Sequence, residues 1–527
     1  MTTLDTPITT RPAWLTAEVV DRLTALVARE PAGSDSIETR SPYDDRPVAR
    51  VGVSTVEDVA SAVRRARGAG MTWRARHPGQ RAAPILRFHD LLVERQDEIL
   101  DLIQTEVGKS RFSAWQEVLQ VANLARHYAR TAEKYLADHS VRGAVPGLTK
   151  VREVRVPKGV VGIVSPWNYP LYLGVGDVVP ALLAGNTVVS KADSQSPLSL
   201  LWTRALMIEA GVPADAWSVV VGAGSVVGTA LIDAVDYVCF TGSTATGRRV
   251  AAQASERLIG SSLELGGKNP LVVRADADLD LAAAGTVAAA FGNSGQMCIH
   301  IERVIVHRDV YEDFRDRLVT ATRALRLGQT YDYDVDMGTL VSQAQLDAVT
   351  SHVADAVEHG ATVLAGGSAR PDIGPFAHEP TILEGVTPAM AVCAEETFGP
   401  VISLYRAKDD VDALRRANEG SYGLSASIWS RDVRTADRLG RQIRAGALNI
   451  NDGAAAAAGS IEAGMGGMGD SGLGRRHGAD GIRKYTEVQT VAVQRLMPLG
   501  PPAALGVEGF VRLTNRQLLA MRRLRLR

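Results

Sequence analysis

Cys298 stands in FGNSGQMCIH, residues 291–300, where Gly292, Asn293, Gly295 and Gln296 interrupt an apolar helical run just before it. A thiolate with exposed backbone amides beside it could attack an electrophilic carbon and hold the oxyanion that forms. An intracellular cysteine is more commonly inert core, and Cys239, inside DYVCFTGS, reads that way. Glu264 ends an apolar stretch against the paired glycines of LELGGKNP. A carboxylate desolvated there has a raised pKa and can act as a general base; the plainer alternative is an acceptor for loop hydrogen bonds. Asn168, between the two prolines of SPWNYP, could aim amide N–H groups at developing negative charge, or simply hold a turn. FTGSTATG, with Gly242 and Gly247, runs from a strand into a helix start that suits a phosphate. It is a weak signal alone, and it is not the G-x-G-x-x-G fingerprint.

Groups this far apart in sequence need elements to bring them together. From Val56 to about Ala137, apolar residues recur at three and four with charges between, which predicts a helical layer. At KVREVRVPKGVVGIVSP the period changes to that of strands. GVVGIVSP, VVPALLAG, NTVVSKA, LSLLWTRALMIEAG, WSVVVG, VGTALID and AVDYVCFTGS then alternate strand and helix, as an open parallel sheet does. A second α/β region runs from NPLVVRADAD through RVIVHRD, GATVLAGG and VISLYRA to ALNIND. IRKYTEVQTVAVQRL returns to alternation and could pair with the distant VREVRV.

A length of 527 residues implies two or three domains. With 46% hydrophobic and 22% charged residues, the composition excludes disorder or a membrane bundle as the main architecture. A net charge of -1 gives no field to recruit nucleic acid. Three scattered cysteines form neither a disulfide framework nor a metal-ligand spacing, so no metal is expected. With no signal segment or long apolar run, a cytoplasmic location is expected.

Five motifs occur in one order: P-W-N at 166–168, G-S-T-x-x-G from Gly242, E-L-G-G-K from Glu264, G-Q-x-C ending at Cys298, and EETFGPV at 395–401. From about residue 40 to 495 the chain resembles the aldehyde dehydrogenase superfamily. The resemblance implies an α/β fold: a Rossmann-type cofactor domain, an α/β catalytic domain and a small β oligomerisation element. It places the helical part of the cofactor domain at 1–142, oligomerisation strands at 143–157 and 484–500, the dinucleotide-binding domain at 158–264 and the catalytic domain at 265–483. It makes Cys298 the nucleophile, Glu264 the base that releases the acid from a thioester, and Asn168 an oxyanion donor. Trp167 and Asn168 would lie beside the nucleotide, Lys191 toward the adenosine ribose, Gly242 and Ser243 under the pyrophosphate, and Leu265 and Glu396 at the nicotinamide end.

Three departures qualify the resemblance. KADS replaces the frequent Lys-Pro-Ser-Glu, so Ala192 and Asp193 lead to Ser194 where an acid would repel a 2′-phosphate; NADP is expected ahead of NAD. Asp177 replaces a frequent lysine, and Gly176 stands where better-known succinate-semialdehyde dehydrogenases carry an arginine for the substrate carboxylate. His300 and Arg303 are candidate replacements by proximity in sequence. The wider sequence is nonetheless similar to NADP-dependent succinate-semialdehyde dehydrogenases of an actinobacterial kind, which implies oxidation of that small-molecule aldehyde to succinate. The alternatives are a broad enzyme for apolar or aromatic aldehydes and a non-catalytic relative of the fold; the joint presence of Cys298, Glu264 and Asn168 argues against the latter. Exposed strand edges imply a homodimer or homotetramer. The tail at 501–527, with six arginines and no acid from Phe510 on, reads as a basic amphipathic helix. Packing on its own or a neighbouring subunit is expected ahead of contact with an anionic membrane surface.

Overall fold

The computed structural model describes residues 12–30, 35–143, 149–495 and 499–525. Short segments form a six-stranded sheet in the order Gly472–Leu473, Gly260–Glu264, Tyr237–Thr241, Val160–Val164, Thr187–Ala192, Trp217–Val221, and the last four of these contain valine and are almost wholly buried on both faces. All neighbours run parallel except the Gly472–Leu473 edge, which is antiparallel. The chain winds outward from Val160–Val164 through Thr187–Ala192 to Trp217–Val221, then returns to lay Tyr237–Thr241 on the other side. Strand order therefore reverses between Val160–Val164 and Tyr237–Thr241, and a crevice opens where the connections leave those carboxyl ends in opposite directions. The two connections begin Ser165-Pro166-Trp167-Asn168 and Gly242-Ser243.

Four helices, Val56–Ala75, Pro78–Glu94, Gln96–Val107 and Arg111–Leu136, precede this sheet. The first starts at a capping box: Thr55 Oγ1 accepts from the Asp58 N–H at 3.1 Å and the Asp58 carboxylate accepts from the Thr55 N–H at 2.7 Å. Its buried stripe, Val59, Ala62, Val63 and Ala66, joins a core with Val160, Val189 and Val220 of the sheet. Burying each valine there contributes about 1.5 to 3 kcal/mol.

The second α/β region forms a seven-stranded sheet, Thr362–Ala365, Thr381–Glu384, Val401–Ala407, Ile301–His307, Asn269–Val273, Ser425–Trp429, Ala447–Ile450, parallel except for its Thr362–Ala365 edge. The helix Leu279–Phe291 leads from its interior strand Asn269–Val273 to the Cys298 loop.

The described residues up to Tyr135 and from Pro157 to Thr486 make one compact unit; Leu136–Val156 and those from Glu487 onward make a second. The second holds a three-stranded sheet in which Thr149–Pro157 lies between Thr486–Gln494 and the antiparallel His139–Arg142, so VREVRV and the late alternating segment do pair. It also holds a helix, Gly506–Arg523, that buries none of its residues. No described helix is long and apolar enough to cross a membrane.

Candidate active site

The Cys298 loop is shaped by three consecutive left-handed residues, Asn293 (φ 51°), Ser294 (φ 54°) and Gly295 (φ 71°). Asparagine tolerates that region; serine does so at a cost of about 1 kcal/mol. At Gly295 no side chain fits, because a Cβ would lie 2.1 Å from the Gly399 carbonyl oxygen. The turn is locked from inside. Gln296, wholly buried, donates to the Asn293 and Thr339 carbonyls at 3.2 and 3.3 Å and accepts from the Val341 N–H at 2.9 Å. Asn269 fixes the far side, its Nδ2 donating to the carbonyls of Cys298 (2.8 Å) and His300 (2.7 Å).

Cys298 opens into a cavity of about 270 Å³ at the reversal point of the six-stranded sheet. Trp167, Asn168, Gly242, Ser243, Glu264, Leu265 and Glu396 line it with Cys298, so eight positions singled out in the sequence meet in one place. Leu173 and Gln345, which no sequence signal marked, also line it, as do Thr241 and Phe398, which lie inside two of the motifs without having been singled out. Burial first, then Glu396 and Glu264, push the Cys298 thiol up to about 12. Burial pushes Glu264 up to about 7 against the pull of Arg476 and Lys484, and its Oε1 is buried without a hydrogen-bond partner. Glu396 is also pushed up to about 7, by burial and then by Glu302, while its Oε1 accepts from the Gly267 N–H at 2.9 Å. Asn168 Nδ2 donates to the Gln296 carbonyl at 2.9 Å. An amide nitrogen carries two hydrogens, which leaves one for a ligand.

Two buried charge clusters hold these groups. Lys109 and Glu117, both wholly buried, pair at 2.7 Å. Lys109 donates to the Asn168 carbonyl at 2.8 Å, and Glu117 accepts from the N–H groups of Leu171 and Tyr172 at 3.0 and 2.9 Å. Asp177, the departure noted in the sequence, accepts from Arg476 (2.6 and 2.9 Å), Lys484 (2.8 Å) and the Tyr485 hydroxyl (2.6 Å). Burial alone would raise its pKa, but Arg476 and Lys484 overcome this and hold it well below the usual carboxylate range. Arg476 also donates to Thr241 Oγ1 at 2.6 Å, and Thr241 is the strand neighbour of Glu264. Buried together, two cations and one anion leave a positive charge that an ionised Glu264 would balance. Separations of roughly 300 residues hid this cluster from any pattern read along the chain.

Residues 29–491 match the family described as the aldehyde dehydrogenase family. The chain belongs to that family. Among its relatives, a protein of Mycolicibacterium smegmatis provisionally named succinate-semialdehyde dehydrogenase [NADP(+)] is 48% identical, the match covering 93% of this chain and 94% of the relative. The succinate-semialdehyde dehydrogenase [NADP(+)] GabD of Escherichia coli is 34% identical over 87% of this chain and 94% of its own. The crystal structure of an E. coli NADP-dependent enzyme superposes with a TM-score of 0.85 at 34% identity, covering 88% of this chain and 95% of that one.

In this aldehyde dehydrogenase, Lys191, Ala192, Asp193 and Ser194 do not line the cavity. They lie at the carboxyl end of the Thr187–Ala192 strand, tied to the cavity loop by the Ser165 N–H, which donates to the Lys191 carbonyl at 3.2 Å. Burial lowers the Lys191 pKa, against the charge of Asp193, whose Oδ1 accepts from the Gln195 N–H at 2.9 Å. A second cavity, about 180 Å³, reaches the other side of the Cys298 loop, where Met297, Ile299, Tyr169, Trp429, Gln120 and several alanines line it. Asp452 is the one charged side chain among its lining residues. Neither proposed replacement for the missing arginine reaches this space. His300 is wholly buried, and Arg303 donates to the carbonyls of Lys268, Arg416 and Ala417 in a separate region. Sequence proximity misled here because the strand Ile301–His307 carries Arg303 away from Cys298, and His300, just before that strand, is buried in the core.

Proposed function

We propose that this aldehyde dehydrogenase oxidises an aldehyde to its carboxylic acid with NADP through a covalent adduct on Cys298, and that succinate semialdehyde is the substrate to test first. The observation that carries the chemistry is one cavity holding a thiol, a buried carboxylate oxygen without a partner and a free amide N–H. The Cys298 proton must leave, and Glu264 Oε1 is the open acceptor. The sulfur attacks the carbonyl carbon, an S–C bond forms, and the π pair moves to oxygen, where the remaining Asn168 N–H can donate to it. NADP, when bound, supplies the hydride acceptor that turns this adduct into a thioester. Once that first proton has passed from Glu264 to solvent, Glu264 takes a proton from water, the water oxygen attacks the thioester carbon, the C–S bond breaks, the Cys298 thiolate recovers the proton from Glu264, and the acid departs.

The residues fit a dinucleotide: the cavity opens on the exposed N-terminal turn of the helix Thr244–Glu256, capped by Ser243. Gly242 and Ser243 would hold the pyrophosphate, Trp167, Asn168, Leu265 and Glu396 the nicotinamide end, and Lys191 with Ala192, Asp193 and Ser194 the adenosine ribose. The relatives' names support NADP, as does Ser194 in place of an acid.

Those names also support succinate semialdehyde. The cavity beside Met297 favours a second reading, uncharged apolar or aromatic aldehydes, because its only charged lining residue is an acid. Aldehydes of matched length with and without a carboxylate, followed by NADPH absorbance, separate the two; a higher kcat/KM without the carboxylate supports the second. Cys298→Ala should abolish oxidation and keep NADP binding, whereas Glu264→Gln should give a burst of NADPH and then a slow steady rate. Normal steady turnover in either variant would refute its assigned role. A homodimer or homotetramer is the assembly we propose, since the outermost strand Thr486–Gln494 carries Val488 and Val493 about half exposed, at 47% and 49%.

A further inference from the structure

The helix Gly506–Arg523 lies beyond residue 491, where the family match ends, and none of its residues is among those lining the Cys298 cavities. At 100° per residue, Val507, Phe510, Val511, Leu518, Met521 and Leu524 fall within an arc of about 140°. Apart from the half-buried Phe510, these are large apolar side chains left in the open: Val507 is 69% exposed, Leu518 59% and Leu524 68%. Arg512, Arg516 and Arg523 project from the opposite side and Arg522 flanks the apolar arc; Glu508 is the single acid of the helix, paired with Arg512 at 3.6 Å. An exposed apolar face of this size needs a cover.

Charge decides which cover fits. Two such helices from two copies, packed apolar arc to apolar arc, would cover the arcs but leave eight arginines, against two glutamates, without anionic partners. An anionic surface answers the arginines and leaves the apolar arc in contact with acyl chains. The helix, about 27 Å long, carries too many charges to cross a bilayer, so it would lie in the plane of the interface.

We propose that the Gly506–Arg523 helix docks the protein on an anionic phospholipid surface, apolar arc inward and arginines at the headgroups. The test is co-sedimentation of the full-length protein with vesicles of equimolar phosphatidylglycerol and phosphatidylcholine, and with phosphatidylcholine alone. Binding is expected only to the anionic vesicles, at low ionic strength, and should fall steeply as salt is raised. Replacing three arginines, Arg512→Gln, Arg516→Gln and Arg523→Gln, should weaken it by about a hundredfold. Leu518→Asp with Phe510→Asp should abolish it, and both variants should oxidise aldehydes at the parent rate. No binding at low ionic strength, equal binding to neutral vesicles, or unchanged binding by either variant would overturn the proposal. A fall in molecular mass on Leu518→Asp, without vesicle binding by the parent, would overturn it in favour of a second copy as the cover.

Discussion

Cys298 and Glu264 oppose each other electrostatically, since each is harder to ionise while the other is charged. What would keep Glu264 usable as the proposed base near neutrality is the positive side of the Asp177 cluster, with Arg476 the largest downward pull on its pKa. With the Glu264 pKa near 7, its basic form grows tenfold per pH unit below that value and levels off above it, so the hydrolytic rate should rise with pH through 7. Arg476→Leu removes a lowering charge and should move this rise to higher pH, and Arg476→Lys should restore most of it. A pH profile of the steady rate in the three proteins checks the idea; coincident profiles would show that Arg476 only holds the fold. At the nucleotide edge, Ser194→Glu should turn preference from NADP toward NAD. A charge repulsion of about 1 to 3 kcal/mol corresponds to roughly five- to 150-fold in the ratio of kcat/KM values.

The site depends on loops at the ends of elements, and buried ions hold those loops. Glu117, on the helix Arg111–Leu136, holds the Leu171 and Tyr172 amides and answers Lys109, which in turn holds Asn168. All of these groups lie out of water, so removing one charge leaves the other stranded. Glu117→Gln should therefore cost about 3 to 5 kcal/mol, read as a lower denaturant midpoint, and should slow turnover by displacing Asn168. A surface pair such as Arg64 with Glu57, with side chains 64% and 76% exposed, should cost next to nothing when broken, and serves as the control.

At the scale of the whole molecule, two doubly wound sheets bring Glu264 and Cys298 to one cavity: Glu264 ends a strand of the first, and Cys298 follows a helix of the second. The three-stranded sheet leaves the Thr486–Gln494 strand outermost, with its edge open among the described residues. Light scattering at micromolar concentration should give the mass of two or four chains, and Val493→Lys should lower it. A monomeric mass for the parent would set that assembly aside.

What could be read along the chain was whatever local chemistry imposes. Strand and helix periods, the glycines before Cys298 and at Gly242, and the apolar arc and arginines of the tail all follow from short-range sterics and from neighbours a turn apart. The motifs at Asn168, Glu264 and Cys298 were legible too, because their flanking residues are unusual for packing, whereas Glu396 came only from the family resemblance. Tertiary structure alone decided the rest. Asp177, Arg476, Lys484 and Tyr485 form one cluster across about 300 residues, and Lys109 reaches Asn168 across 59. Whether His300 and Arg303 face substrate also depended on which way their strand left the loop. Burial, the absence of a cation beside Met297 and the raised carboxylate pKa values are properties of a filled interior, and only packing of distant segments creates that interior.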